Sequence, residues 1–152
     1  GIEAVKRIFE NPRDRYAEQG ETFPQTWPYV HDLFEALGER ARVYVARDGD
    51  GAFLTGITVL YSPQEAYFWQ GGSRTIHDGV AVNSLLHWHV IRDIIEDPPS
   101  ETVRSYDLHG ANTERLCRYK SKFGGELIPY HVVDTSGYRM DVAKRVYERF
   151  IR

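Results

Sequence analysis

The feature that most constrains the fold is a change of hydrophobic period near residue 41. Before it, apolar residues recur three and four positions apart, which is typical of amphipathic helices. Residues 42–70 alternate instead, in three segments joined by short turns, and this pattern predicts an antiparallel meander. Helical and strand patterns alternate after Gly79. Together they predict an α/β (α+β) fold, with a mixed, mostly antiparallel sheet and helices on its faces.

The predicted elements follow from apolar spacing, caps and breakers. Ligands of such a sheet usually lie beyond the carboxyl ends of strands, where the strand order splits, so we expect the loops at 71–82 and 109–113 to approach the site. The elements are helices over 2–17 (interrupted at Pro12), 26–38, 82–95, 112–122 and 138–151, and strands over 42–47, 53–61, 66–70, 103–108 and 126–133.

Length and charge exclude several classes of protein. The 152 residues suit a single domain over 1–152, and the 19 basic and 22 acidic residues are interleaved, which argues against a DNA partner. We expect residues 1–25 to be a helical lead-in that ends a missing upstream portion. One cysteine allows no internal disulfide, and no apolar run suits a membrane span or signal peptide. A cytoplasmic protein is therefore expected.

Three stretches carry a recognisable pattern. Residues 67–73 read Tyr-Phe-Trp-Gln-Gly-Gly-Ser, and residues 83–93 form a predicted helix with Leu-Leu, an aromatic residue and Ile-Arg. The third stretch joins Asp-Leu-His-Gly at 107–110 to Tyr119-Lys120 and to Phe-Gly-Gly at 123–125. From Tyr44 onward the chain thereby resembles one branch of the Gcn5-related acetyltransferase (GNAT) superfamily, that of Fem-type aminoacyltransferases and related acetyltransferase-like proteins.

This resemblance implies a GNAT-like sheet with a splayed central strand pair, and an N-acyltransferase. The acyl donor would be acyl-CoA or aminoacyl-tRNA, used as a co-substrate with no tightly bound cofactor. Residues 75–81 hold one glycine where acetyl-CoA enzymes have a glycine-rich loop, and Fem-type enzymes lack that loop too, so the donor stays open. The acceptor would be an amine on a small molecule or peptide. An alternative is a noncatalytic half that braces a GNAT-like domain upstream in a tandem protein.

A helix amino terminus is a natural site for phosphate, because its free N–H groups and the helix dipole favour negative charge. Both candidate donors carry phosphates. We therefore expect donor binding at the start of the 82–95 helix, although an ordinary loop-helix junction would look the same in the sequence. The residues concerned are Gly79, Val80, Ala81, Val82 and Asn83.

Three residues are candidates for catalysis. Asp107 ends the fourth predicted strand and would accept or orient the proton of the attacking amine, or else form a turn. His109 is the alternative base, since histidine titrates near neutrality. Lys120 would contact a phosphate or the reacting carbonyl, unless it is simply solvated. Asn112, which is also a candidate helix cap, and Tyr119 complete the expected donor-binding set.

The sequence predicts no metal site. His87 and His89 are two residues apart on a predicted helix and cannot share one face. Cys117 has no cysteine partner and no histidine at ligand spacing, and it is expected to be a small packed residue rather than a nucleophile.

Overall fold

A four-stranded sheet with helices on both faces forms the centre of the structure, a computed structural model that describes residues 1–18, 20–72, 75–99 and 101–131. Short 3-10 turns lie at Gly38–Arg40 and Ser121–Phe123. In chain order the elements are α1 (Ile2–Glu18), α2 (Trp27–Leu37), β1 (Ala41–Arg47), β2 (Phe53–Tyr61), β3 (Glu65–Gly71), β4 (Ile76–His77), β5 (Val80–Ala81), α3 (Val82–Glu96), β6 (Ser105–Asp107) and α4 (Glu114–Lys120).

The strand order of the main sheet is β1-β2-β3-β6, while β4 and β5 form a separate two-stranded hairpin. β1, β2 and β3 pair antiparallel as the predicted meander, and β6 joins β3 in parallel. A parallel partner requires a crossover, and α3 supplies it. The predicted mixed, mostly antiparallel α/β fold is confirmed.

The pairing between the two parallel strands stops before β3 ends. Their last pair is Tyr67 with Asp107, where β6 ends, whereas β3 continues to Gly71. Trp69 is an extra residue in β3, because Thr58 pairs with Gln70 and Val59 with Phe68. Such a bulge bends a strand and increases its twist. We call the opening between residues 68–71 and the chain after Asp107 the fork.

Two apolar clusters hold the layers together, one on each face of the sheet. Strand side chains pack against α3 on one face and against α1 and α2 on the other. Aromatic residues of β3 contribute to both clusters, because Phe68 packs on the α3 side and Trp69 on the α1 side of the sheet. The buried members are Ile57, Val59, Tyr61, Ala66, Leu86, Val90 and Val103 for the first cluster, and Val5, Phe9 and Val30 for the second.

Local signals fix most helix ends. The Thr26 side chain caps α2 by accepting from the Tyr29 N–H, and Gly38 ends it at φ 54°. Gly124 likewise stops the last 3-10 turn in the left-handed region, at φ 73°. The N-cap of α4 was predicted one residue too early, at Asn112. The Thr113 side chain is the cap, and it accepts from the Leu116 N–H.

Three predictions about elements were wrong. α1 is continuous through Pro12, because its buried face, with Val5 and Phe9, holds the helix against the sheet. The β4–β5 hairpin was not predicted within the loop before α3. Residues 126–131 form no strand; Leu127 is 75% and Ile128 77% exposed, so their apolar side chains are not held against the sheet. The rest of that strand and the helix predicted over 138–151 lie outside the described residues.

Gly56 in β2 offers a test of the packing between α1 and the sheet. A Cβ at this position would lie 2.6 Å from Ile8 Cδ1 and 3.0 Å from the Tyr44 carbonyl oxygen, and Ile8 is fully buried. We expect Gly56→Ala to lower the free energy of unfolding by about 1–3 kcal/mol through overpacking, measured by urea denaturation. Gly49→Ala is the control, because a Cβ there meets nothing within 4 Å. Equal stability of the two variants would contradict this packing.

Candidate active site

The chain after β6 turns sharply at the fork. His109 adopts a left-handed backbone, φ 65°, and its N–H donates to Asp107 Oδ1 at 2.6 Å. The His109 ring makes an edge contact with Tyr67, and its Nδ1 shares a short hydrogen bond with the Tyr67 hydroxyl. Partial burial and the nearby Asp107 charge raise the pKa of Tyr67, so this hydroxyl stays protonated. Tyr67 and Asp107, the last pair of the two parallel strands, thus hold the His109 turn in place.

Lys120 holds the same turn from the far end of α4. Its Nζ donates to the carbonyl oxygens of His109 at 2.8 Å and Gly110 at 2.5 Å. Burial lowers the pKa of Lys120, and the Asp107 charge opposes that shift. An ammonium has three N–H donors, so among the described residues one donor is left for a ligand. The structure therefore brings together the three residues predicted for catalysis, Asp107, His109 and Lys120.

His87 lies behind this turn and was considered in the sequence only as a metal ligand. It is 3% exposed on α3, its Nδ1 is 2.8 Å from the Tyr106 hydroxyl, and its ring lies against Phe68 and Phe123. Burial, followed by the Lys120 charge, lowers the pKa of His87 to about 4. A neutral histidine thus joins α3 to β6. The sequence signal that could have predicted burial of His87 was its position next to Leu86, on the apolar side of α3.

Tyr119 packs in the same aromatic group. Its ring contacts His87 and Phe123, with centroids 6.2 and 5.5 Å away. Among the described residues its buried hydroxyl has no hydrogen-bond partner. A buried O–H without a partner is costly, and such groups often mark a binding or catalytic position.

The predicted phosphate site forms a separate group at the start of α3. Asp78 and Gly79 turn the β4–β5 hairpin with positive φ, and Ala81 precedes the helix without a side-chain cap. The Val82 N–H already donates to the Thr75 carbonyl at 3.0 Å. Asn83 Oδ1 accepts from the Thr75 N–H at 2.9 Å, so its side chain braces the loop.

The remaining members of the predicted donor-binding set differ in their surroundings. Val80 is 49% exposed, and Gly79 and Ala81 are exposed beside it. Val82 is 4% exposed and can offer a ligand only its backbone. Asn112 is exposed in the loop between the His109 turn and α4.

Metal-ligating side chains do not converge in the part of the chain that the structure describes, where no group of three suits a cation. His87 contacts Tyr106, while His89 faces Arg92, so the two histidines point apart as predicted. Cys117 is half-buried and its Sγ donates to the Ala111 carbonyl.

Comparison with known proteins agrees with this architecture. Residues 1–121 match the family model of the acetyltransferase (GNAT) domain, a range that includes both parallel strands, α3 and α4. Because the match covers most of the chain, the protein belongs to the GNAT acetyltransferase family. No curated protein and no solved structure gives a significant match.

GNAT domains are N-acyltransferases that generally use acyl-CoA as a co-substrate without a tightly bound cofactor. The Fem-type branch is a narrower assignment than this match provides. Among the described residues, no helix has the length and hydrophobicity that crossing a bilayer requires.

Proposed function

We propose that this domain transfers an acyl group from a phosphate-bearing donor, acyl-CoA or aminoacyl-tRNA, to an amine. The observation that supports the proposal is the end of pairing between β3 and β6 at Tyr67 and Asp107, with the Lys120-held turn directly after it. An extended donor lying along residues 68–71 would place its carbonyl beside that turn. Hydrogen-bonding groups held rigidly beside a reacting carbonyl are what acyl transfer needs.

His109 is the proposed base. When its Nδ1–H donates to the Tyr67 oxygen, Nε2 keeps the lone pair that accepts a proton from the amine. The side chain is exposed at the mouth of the turn, so an amine from solvent reaches it. Asp107 fixes the backbone of this base through the His109 N–H rather than contacting the ring.

The proposed transfer step balances with groups of the His109 turn and of α4. The amine nitrogen forms a bond to the acyl carbon, and the bond from that carbon to the donor's sulfur or ribose oxygen breaks. The bonding pair leaves with that atom, which takes a proton from the Tyr119 hydroxyl, and the amine proton passes to His109. The free Lys120 N–H is placed to stabilise the carbonyl oxygen while it carries negative charge.

The amino terminus of α3 is the proposed site for the donor's phosphates. The first turn of this 15-residue helix holds no acidic residue and Ala81 supplies no side-chain cap, so its electropositive end favours an anion. Val80 and Ala81 are exposed residues at that end. This feature suits both donors, because each carries phosphate.

A turnover assay tests the proposal. The purified chain is incubated with amines and either acetyl-CoA, followed by free thiol, or aminoacyl-tRNA, followed by loss of the aminoacyl ester. Turnover with one donor supports the proposal and identifies the donor. Turnover with tRNA would place the protein in the Fem-type branch, and absence of turnover and binding with both would overturn the proposal.

Tyr119→Phe tests the proton donor. We expect kcat to fall by about tenfold to a hundredfold, since general acid catalysis typically contributes that much or more. The ring and its packing are retained, so stability should change little. Tyr29→Phe, at a tyrosine that is 54% exposed on α2, is the matched control. An unchanged kcat in Tyr119→Phe would remove this residue from the proposed step.

A noncatalytic bracing role is the second candidate function, and one observation favours it. The polar groups of Asp107 and Lys120 are directed at the backbone of their own turn. Such bonds serve rigidity as well as catalysis. In that case the isolated chain would bind neither donor, and it would raise the activity of a GNAT-like upstream domain when added to it. Turnover by this chain alone excludes that role.

A further inference from the structure

Within the part of the chain that the structure describes, β1 is an edge strand of the main sheet with no strand on its outer side. Its residues 41–46 are half-buried whichever face they lie on, whereas the centre of β2 is buried. The opposite edge, β6, is only three residues long, which limits unwanted pairing. β1 has seven residues, contains neither Pro nor Lys, and is regular up to a shift between Ala46 and Arg47.

The charged residue at the start of this strand does not shield the edge. Arg42 reaches to α3, where it donates to Asp93 at 2.8 Å and to the Asp97 carbonyl at 2.7 Å. The Tyr44 hydroxyl also bonds Asp93 and lies 2.9 Å from that of Tyr61. Both polar side chains on this face of β1 are thus hydrogen-bonded within their own chain.

A cavity of about 370 Å³ runs along the same edge. It contacts Val43, Tyr44 and Val45 in succession. Alternation sends the first and third of these side chains to one face and the second to the other, so a cavity touching all three follows the backbone edge. α3 forms its other wall, with Leu86, His89, Arg92, Asp93 and Glu96.

We propose that this edge pairs antiparallel with the same edge of a second copy of the chain. β1 reads Ala-Arg-Val-Tyr-Val-Ala-Arg, which is nearly the same in both directions. With a twofold axis at Tyr44, Val43 lies opposite Val45 of the second copy and Arg42 opposite its Ala46. No arginine then faces an arginine, and β-branched residues face one another, which stabilises cross-strand pairs. A twofold interface requires this self-complementarity.

The wall formed by α3 has the charges that a twofold contact needs. Arg92 lies 3.6 Å from Glu96 in one copy, so both signs are present for pairing across the axis. Large apolar side chains extend the surface along α3: Leu85 is 43%, Trp88 59% and Ile95 76% exposed. Pairing would join two four-stranded sheets into one, and the fork would lie at each outer edge, independent of the contact.

Light scattering with size-exclusion chromatography tests the pairing over a range of protein concentrations. We expect the chain to have twice its mass of 17.6 kDa. Trp88→Lys should raise the dissociation constant at least about tenfold, as replacement of a buried interface tryptophan does. Tyr29→Lys, at a similarly exposed aromatic residue on α2, should leave the dimer intact. A monomeric chain, or a dimer that Trp88→Lys leaves unchanged, would overturn the proposal.

Disulfide trapping tests the register separately. Val43→Cys and Val45→Cys are prepared as single variants in a Cys117→Ser background, and oxidised alone and mixed. The proposed register places residue 43 opposite residue 45, so a crosslinked dimer should form mainly in the mixture. Crosslinks as strong within either single variant, or none in the mixture, would contradict it. Donor turnover is measured in parallel and should not depend on the crosslink.

Discussion

His109→Asn should lower kcat for amine acylation by about a hundredfold, the lower end of what a general base contributes. Asparagine is chosen because it tolerates the left-handed backbone, φ 65°, that this position adopts. The substitution removes the ring that bonds Tyr67 while the His109 N–H contact to Asp107 and the Lys120 clamp on the backbone are retained. Steady-state kinetics with the active donor measure the effect.

The comparison that isolates the base is His31→Asn, which removes a partly exposed histidine of α2 that, within the described residues, makes no hydrogen bond or ring contact with the His109 turn. Thermal unfolding of both variants checks that the fold is kept. If His109→Asn retained kcat within a factor of two to three, a base at this position would be excluded. The turn would then serve only to shape the opening.

The stability of the protein should fall steeply between about pH 6.5 and pH 4 because of His87. Its pKa in the folded protein is lowered to about 4, below the ordinary histidine value of 6.5. Between pH 6.5 and about pH 4, His87 binds a proton in the unfolded chain but stays neutral in the folded protein. The free energy of unfolding therefore decreases as the pH falls. The loss amounts to about 3 kcal/mol when complete. The stabilisation by neutral His87 is fully present above pH 6.5, the ordinary pKa of histidine in an unfolded chain.

Urea denaturation at pH 7, 6, 5 and 4 measures this loss, and His87→Gln should flatten the pH dependence. The variant starts from a lower stability, because the Tyr106 hydroxyl loses the ring nitrogen 2.8 Å away. His31→Gln serves as the control and should keep the wild-type slope. Identical slopes in wild type and His87→Gln would show that His87 is not the buried neutral group described here.

The elements that local sequence signals determine were predicted well. Strand β2 was predicted over 53–61, the bounds it has in the structure, because a turn at 48–51 and another at 62–65 delimit it. The Thr26 cap and Gly38 stop of α2 were also predicted, since each acts through its own backbone. Where tertiary packing decides, local patterns failed: Pro12 does not break α1, and residues 126–131, predicted as part of a strand, form none.

The site was predictable only in part. Asp107 was named from its place at the end of the fourth predicted strand, His109 from the chemistry of its side chain and Lys120 with the help of the family resemblance. None of these arguments predicts a contact between the three residues. Lys120 reaches the His109 turn across 11 residues of chain, and Tyr67 reaches it across 42. Contacts at such separations depend on the pairing of β3 with β6. The role of Tyr67 was missed because an aromatic residue in a strand is read first as part of the core.

The central claim is that the fork binds the acyl donor, and mapping of backbone amide signals by NMR tests it most directly. The chain is titrated with coenzyme A and, separately, with a 3′-aminoacyl-adenosine analogue that cannot be hydrolysed. We expect one of these ligands to shift the amide signals of residues 68–71 and 107–110 together with those at the start of α3. Saturating shifts confined to the cavity between β1 and α3, or no shifts with either ligand, would contradict it.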